Sequence, residues 1–451
     1  MIQATELLKA AVQAQTSGSP KEAAFLYQQV LNQYPENPGA LCNLGLIRQQ
    51  DKQYEQAEQL LRRAIAADAK LIDAYVNLTN VLHAQHKYDE AIGLCEKALK
   101  FAPGNRYLLN NLATNLHGAG NHAEAISLLS KVIAAHPKYA QGSYNIAKIH
   151  EKIGNAEEAV RYYGQAARLN PRETISLVAA GECLLKNGKA DDALAMFDRV
   201  LAVDAFDVRA LALKSLALAE LGRKEQERWL ADPYRLARIH RLAELGLDSR
   251  EIAEFNHALS VFASNHPTLA EDPPENATYK AWHTKNNLAH EGNSAVEKLK
   301  KFIAYALDQR MRSLVEEDQD HPFARGLPGD LNLSLWAVKM VAGGKMIPHI
   351  HPDGWLSGVY YVDVPSIVND PDAAQAGWIK FGSPRNDIVL TKPTLTRTVK
   401  PEPGLLVTFP SYLWHDTIPL PADNTEQRLC LSFDLQPMTG SSRAGAGLQA
   451  G

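Results

Sequence analysis

The stretch His349-Ile350-His351-Pro352-Asp353-Gly354-Trp355-Leu356-Ser357-Gly358-Val359-Tyr360-Tyr361-Val362-Asp363-Val364 decides the class of the C-terminal part of the chain. Its second half, Leu356 to Val364, is strand-like and carries two adjacent aromatics. Upstream, Leu331 to Val341 is an apolar, β-prone run that Gly343-Gly344 breaks. Downstream, Gly377 to Phe381 is another short run. Pro401-Glu402-Pro403-Gly404 is a turn that feeds the strand Leu405 to Phe409, and Pro410 stops that strand. A short loop then presents Trp414-His415-Asp416, and Arg428 to Leu435 alternates again. Short strands with turn signals between them and no helical period predict a double-sheet jelly roll, that is, a double-stranded β-helix.

The polar residues of this region form an ordered set. An imidazole and a carboxylate two residues apart, with a second imidazole far downstream, is the ligand pattern of a non-haem iron(II) site. His351, Asp353 and His415 supply it. Arg428 follows His415 by thirteen residues, a spacing that suits a guanidinium reaching back to hold a carboxylate in a fork. His349 shares a strand face with His351. A place behind the ligands, against a substrate, or in the fold alone is open to it, and it admits a second register for the first ligand, two residues earlier.

His351-Pro352-Asp353, the Tyr360-Tyr361-Val362 strand, the Pro-Gly turn before Leu405–Pro410, His415 and Arg428 together resemble the Fe(II)/2-oxoglutarate-dependent oxygenases, in their prolyl-hydroxylase-like branch. The resemblance covers Leu331 to Pro437. It implies Fe(II) on His351, Asp353 and His415, with 2-oxoglutarate and O2 as co-substrates and ascorbate as an admissible reductant. It also implies that Arg428 and Tyr361 hold the distal carboxylate of 2-oxoglutarate.

From Ala4 to Leu221 the sequence repeats. Ala23, Ala57, Ala91, Ala125, Ala159 and Ala193 stand 34 residues apart; Tyr27, Leu61, Cys95, Leu129, Tyr163 and Phe197 follow each by four. Pro35, Pro103, Pro137 and Pro171 keep the same register. This pattern resembles the tetratricopeptide repeat, in which each unit is a pair of antiparallel helices and the stack is a superhelix with a concave groove. Six repeats are expected, from near Ala4, Pro38, Ile72, Arg106, Ala140 and Thr174, with Val208 to Leu221 as the first helix of a seventh or a cap. Asn43, Asn77, Asn111 and Asn145 occupy one position in four consecutive repeats. A carboxamide offers both donor and acceptor, so these four are candidates for binding the backbone of an extended peptide, or for bonding between neighbouring repeats.

At 451 residues the chain exceeds one core. The expected fold is multidomain α + β, with an all-α superhelix over 1–221 and a helical connecting region over 222–330. The jelly roll with flanking helices follows over 331–438, and a disordered tail over 439–451. Within 222–330, Pro233 to Leu245, Ser249 to Ala263 and Ser294 to Leu314 read as helix, and Pro267 to Asn293 as extended loop. The formal net charge of -4 offers no electrostatic case for nucleic acid or an anionic membrane. Cys42, Cys95, Cys183 and Cys430 lack paired spacing, which suits a reducing, cytoplasmic setting. No signal peptide and no membrane-spanning run is expected. The expected activity is hydroxylation of a protein or peptide recruited by the groove. The alternatives are an oxygenase for a small metabolite with the repeats used for assembly, and a non-catalytic peptide-binding adaptor.

Overall fold

The computed structural model describes residues 2–271, 278–285, 287–316 and 318–438. The tail expected to be disordered, 439–451, lies outside them. The chain divides into two compact units, Met1–Ser176 and Leu177–Gly451.

The first unit is a row of antiparallel helix pairs: Ile2–Thr16 with Pro20–Gln33, Pro38–Gln50 with Tyr54–Ala67, Ile72–Ala84 with Tyr88–Leu99, Arg106–Gly118 with His122–Ala135, and Ala140–Lys152 with Ala156–Leu169. Each periodic alanine is fully buried, and so is each bulky residue four positions on. The cause is close helix crossing: a Cβ built on Gly45 would stand 2.8 Å from Leu61, the bulky residue of its own repeat. Proline sets the ends. Tyr34, His136 and Asn170, each preceding a proline, leave the helical region with φ near -130°, because the ring that follows excludes it. The turn inside each pair carries a second period. Gly18, Lys52, His86, Gly120, Gly154, Gly188 and Gly222 stand 34 residues apart and all have positive φ. Two of these seven positions are not glycine, so the turn geometry persists even where a side chain opposes it.

The second unit holds nearly all of the sixth pair, Ile175–Lys186 with Ala190–Val203, and a seventh, Val208–Leu221 with the short Lys224–Ala231. The break between units therefore comes well before the expected boundary at 221. Helix Val208–Leu221 explains this: ten of its residues are buried, on all sides, as an apolar helix requires. Trp414 Nε1 donates to the Ala212 carbonyl at 3.0 Å, Tyr412 hydroxyl donates to the Leu230 carbonyl at 2.9 Å, and the Tyr412 ring meets Phe206 edge-on.

The strands are β1 (Arg238–Arg241), β2 (Leu269–Glu271), β3 (Thr278–Thr284), β4 (Leu331–Met346), β5 (Leu356–Asp363), β6 (Ile379–Phe381), β7 (Arg397–Val399), β8 (Leu405–Pro410), β9 (His415–Thr417) and β10 (Arg428–Pro437). They form two antiparallel sheets: one of order β1-β8-β5-β10-β4-β3-β2, the other β7-β6-β9. Helices Ser249–Ser264 and Ser294–Glu316 form as expected, and Tyr360 ties both to β5, bonding Asn256 and meeting Phe302 edge-on.

The connecting region differs from its expected form. Pro233–Leu236 is a single helical turn capped by Asp232; the chain then extends as β1 and pairs with β8, burying His240 against Thr408. The stretch expected to be loop contains β2 and β3, which add an edge hairpin beside β4. Tyr279, Trp282 and Thr284 supply the β preference there. Among the described residues, no helix is long and apolar enough to cross a membrane.

Candidate metal centre

Three histidines converge. His349 and His415 form a bridge between the two sheets and exchange both backbone hydrogen bonds, at 3.0 and 3.1 Å. Their rings lie 4.2 Å apart. His415 is fixed from the other side by β6, where it pairs with Phe381. His351 follows His349 by two residues, so its ring falls on the same side, 5.2 Å from His349 and 5.1 Å from His415. One ligand atom from each of the three lies within 4.8 Å of the others.

The outward nitrogens are all committed. His349 Nδ1 donates to the Ile347 carbonyl at 2.8 Å, and His415 Nδ1 to the Leu413 carbonyl at 2.9 Å. His351 Nδ1 donates to Asp434 Oδ1 at 2.7 Å. His349 and His415 therefore keep their Nε2 lone pairs for the interior. Burial pulls the His349 ring down to about 3 and the His415 ring well below the usual histidine range, with neighbouring imidazoles adding to both. Both are neutral at working pH, as metal donors must be. Trp336 stacks on His351, and Phe409 packs 4.6 Å from His415.

Asp353 stands apart. Gly354 N–H donates to the His351 carbonyl at 3.1 Å, closing a tight turn over His351–Gly354. Pro352 and Asp353 are its exposed corner. The structure thus joins His351 and His415, the expected ligands, with His349 and leaves the expected carboxylate ligand Asp353 outside the cluster. The signal was in the sequence: Pro-Asp-Gly is a turn motif, with each residue suited to its place.

Arg428 opens β10 and is buried. Its Nε donates to the Gly377 carbonyl at 3.1 Å, its Nη1 lies near the sulfurs of Met340 and Cys430, and the guanidinium rests over the Tyr361 ring. Among the described residues, no carboxylate lies within ion-pair distance of it. Tyr361 hydroxyl is buried without a hydrogen-bond partner, and burial pushes it up to about 12, so it is a neutral donor. A cavity lined by His351, His415, Thr417, Arg428, Cys430 and Ser432 connects the histidines to the arginine. The buried cation fits an anionic ligand with a carboxylate at that end of the cavity; the histidine nitrogens fit a divalent first-row metal at the other.

Asp434 and Ser357 were missed by sequence reasoning. Ser357 Oγ donates to Asp434 Oδ1 at 2.6 Å and lies 2.8 Å from Ser411 Oγ, all buried. Their signal is the alternation of β10: Leu429, Leu431, Phe433 and Leu435 are apolar, while Arg428, Cys430, Ser432 and Asp434 share the opposite face.

The four register asparagines lie on first helices, as expected, and the amides of Asn77, Asn111 and Asn145 reach the preceding repeat. Asn111 Nδ2 donates to the Val76 carbonyl and to Thr79 Oγ1, both at 3.0 Å. Asn145 Nδ2 donates to Asn110 Oδ1 at 2.8 Å, and Asn77 Nδ2 lies 3.5 Å from Cys42 Sγ. Asn111 and Asn145 are buried. The bonding of Asn77, Asn111 and Asn145 fits the stacking use; peptide binding is the other use open to Asn43, Asn77, Asn111 and Asn145.

Two family models match the chain. Residues 334–434 match the family described as "Putative 2OG-Fe(II) oxygenase", and residues 14–80, 82–149, 116–171 and 152–217 match the tetratricopeptide repeat. The chain joins a tetratricopeptide repeat region to a 2OG-Fe(II) oxygenase domain. Solved structures similar to it include a tetratricopeptide repeat protein from Parabacteroides merdae, at 18% identity over 51% of this chain and 90% of that one, with a TM-score of 0.41. They also include PilW, a type IV pilus biogenesis factor, at 16% identity over 46% of this chain and 96% of that one, with a TM-score of 0.42. A third is pilF of Pseudomonas aeruginosa, at 22% identity over 49% and 96%, with a TM-score of 0.37. No curated protein matches the chain.

Proposed function

We propose that this chain is a 2-oxoglutarate-dependent hydroxylase acting on a protein or peptide. One observation carries the reading: two histidines of the cluster, His351 and His415, line a single cavity with Arg428, which is buried and has no carboxylate within ion-pair distance among the described residues. That is the arrangement a metal-chelating dicarboxylate needs, with one end at the metal and the other at a cation. Fe(II) and 2-oxoglutarate, when bound, supply the chemistry of oxidative decarboxylation to succinate and CO2 coupled to insertion of one oxygen atom into a C–H bond.

The protein's own part is positioning and exclusion of water. Arg428 and the Tyr361 hydroxyl take the distal carboxylate. His351 and His415 offer nitrogen donors in orientations locked by Asp434 and by the Leu413 carbonyl. Trp336 and Phe409 shield the centre from bulk solvent.

A polypeptide substrate is supported by the repeat region, since stacked helix pairs present long surfaces suited to extended chains. Four buried free cysteines suit a reducing compartment such as the cytoplasm. The test has two parts. Full-length protein supplied with Fe(II), 2-oxoglutarate and O2 should form succinate, and proteins from a strain with the active enzyme should gain the mass of one oxygen relative to a strain without it. Absence of both succinate formation and 2-oxoglutarate binding would overturn the oxygenase reading. Oxygen found only on small molecules would overturn the polypeptide substrate.

A further inference from the structure

We infer that the metal of this site is held by three histidines, His349, His351 and His415, and by no carboxylate, and that Asp434 acts behind His351 as a positioning residue. The inference rests on the metal-dependent reading above and deepens it by assigning the donor set.

The donor atoms are assigned by what their rings already bond. A backbone carbonyl only accepts, so His349 and His415 must each carry the proton on Nδ1. His351 donates Nδ1–H to a carboxylate. Three Nε2 lone pairs remain. His349 Nε2 and His351 Nε2 stand 3.3 Å apart. That separation brings two potential donor atoms of adjacent ligands to one point. A shared cation fits there. Metal–nitrogen bonds of roughly 2.1 Å meeting at a right angle place their donor atoms about 3 Å apart, close to the separation seen.

The carboxylate alternative fails on backbone geometry. The extended run that aligns His349 with His351 ends at His351, where the turn to Gly354 begins. Asp353 sits on the exposed corner of that turn. The carboxylate that does belong to the centre is Asp434, one bond further out. It is buried, it receives His351 Nδ1–H, and Ser357 holds the same oxygen. A carboxylate placed behind a ligating histidine fixes ring and tautomer and raises the basicity of the donor. The metal would then keep its full double charge toward the cavity, which favours anionic chelates. Three imidazoles also favour Co(II), Ni(II) and Zn(II) over Fe(II), so these ions should compete at the site.

The test uses Co(II) as the probe, titrated into full-length metal-free protein and followed by visible absorption and metal stoichiometry. Wild type should bind one equivalent. Asp353→Ala should bind one equivalent with the same affinity and spectrum. His349→Gln, which keeps most of the side-chain volume, should lose Co(II) or bind it at least 100-fold more weakly, with its circular dichroism unchanged. Asp434→Asn should bind one equivalent 10- to 100-fold more weakly with a shifted ligand-field spectrum, a change that loss of packing alone would not cause. Loss of Co(II) from Asp353→Ala, with retention by His349→Gln, would overturn the three-histidine assignment and leave the oxygenase reading standing. Wild-type protein that binds neither Co(II) nor Fe(II) would overturn both.

Discussion

The guanidinium carbon of Arg428 lies 5.0 Å above the ring of Tyr361, whose own hydroxyl is buried without a partner. The ring face supplies part of the stabilisation that an ion pair would otherwise give the arginine. The arginine nonetheless stays a buried charge awaiting an anion. Arg428→Met should therefore leave metal binding intact while weakening 2-oxoglutarate binding on the order of 10- to 100-fold, from a charged hydrogen bond worth roughly 1.5–3 kcal/mol. Calorimetric titration of 2-oxoglutarate into metal-loaded protein measures it. The melting temperature should hold or rise, since an unpaired buried charge is removed. An unchanged affinity would show that the carboxylate is held elsewhere.

Asn111 donates to two acceptors of the preceding repeat and Asn145 to one. The Asn111→Ala, Asn145→Ala double variant should lose about 1–3 kcal/mol of stability, at roughly 0.5–1.5 kcal/mol per bond, partly offset by the better helix propensity of alanine. Chemical denaturation gives the value. A double variant that is as stable as wild type yet binds peptide more weakly would restore these amides to the groove.

Lys52 adopts φ of 58° at a turn position that five other repeats fill with glycine. Its side chain is exposed. Lys52→Gly should stabilise the repeat unit by about 0.5–1 kcal/mol, because relief of the left-handed strain, about 1–2 kcal/mol, exceeds the entropy that glycine loses on folding. A lower melting temperature for the variant would show that Lys52 is held there by contacts.

His321 is buried; its Nε2–H donates to the Trp229 carbonyl at 3.0 Å and its Nδ1 accepts from Phe323 N–H. Burial, reinforced by Arg235, pulls it from its ordinary 6.5 down to about 4. Between these values the unfolded chain carries a proton that the folded chain refuses. Stability is thus fully present above pH 6.5 and is lost as pH falls toward 4, at up to about 1.4 kcal/mol per pH unit from this one residue. His321→Asn keeps an acceptor for Phe323 N–H without titrating, so its stability curve should be flatter over that window. Denaturant midpoints at a series of pH values compare the two, and parallel curves would remove His321 from the acid response.

The repeat region was legible because one pattern is written many times over: six small residues, six bulky ones and four prolines all report the same 34-residue period. The double sheet was legible in part. Strands β4, β5, β8 and β10 carry strong β preference, whereas β2 and β3 hide among Pro, Asn, Glu and Lys that also compose loops. In the site, residue identity spoke more clearly than local geometry. His351, His415 and Arg428, singled out for their chemistry, line one cavity. Asp353 was read for its carboxylate, although Pro352 before it and Gly354 after it describe a turn. Asp434 was overlooked because a single acidic residue in an alternating strand resembles a solvent-facing one; only the burial of every residue from Arg428 to Leu435 shows that both faces of β10 are covered.

The hydrogen bond from Trp414 to Ala212 has a practical meaning for dissecting the chain. Trp414 immediately precedes His415, so the last repeat helix acts as scaffolding for the strand that presents this histidine. A fragment cut at 221/222, where the helical sequence pattern ends, would strip that support and lay bare a groove built for an apolar helix. Expression of the β-rich half should begin near Leu177 to remain soluble. By the same reasoning, removal of a repeat ahead of this point should leave the β-rich half folded, whereas removal of either of the final two helix pairs should not.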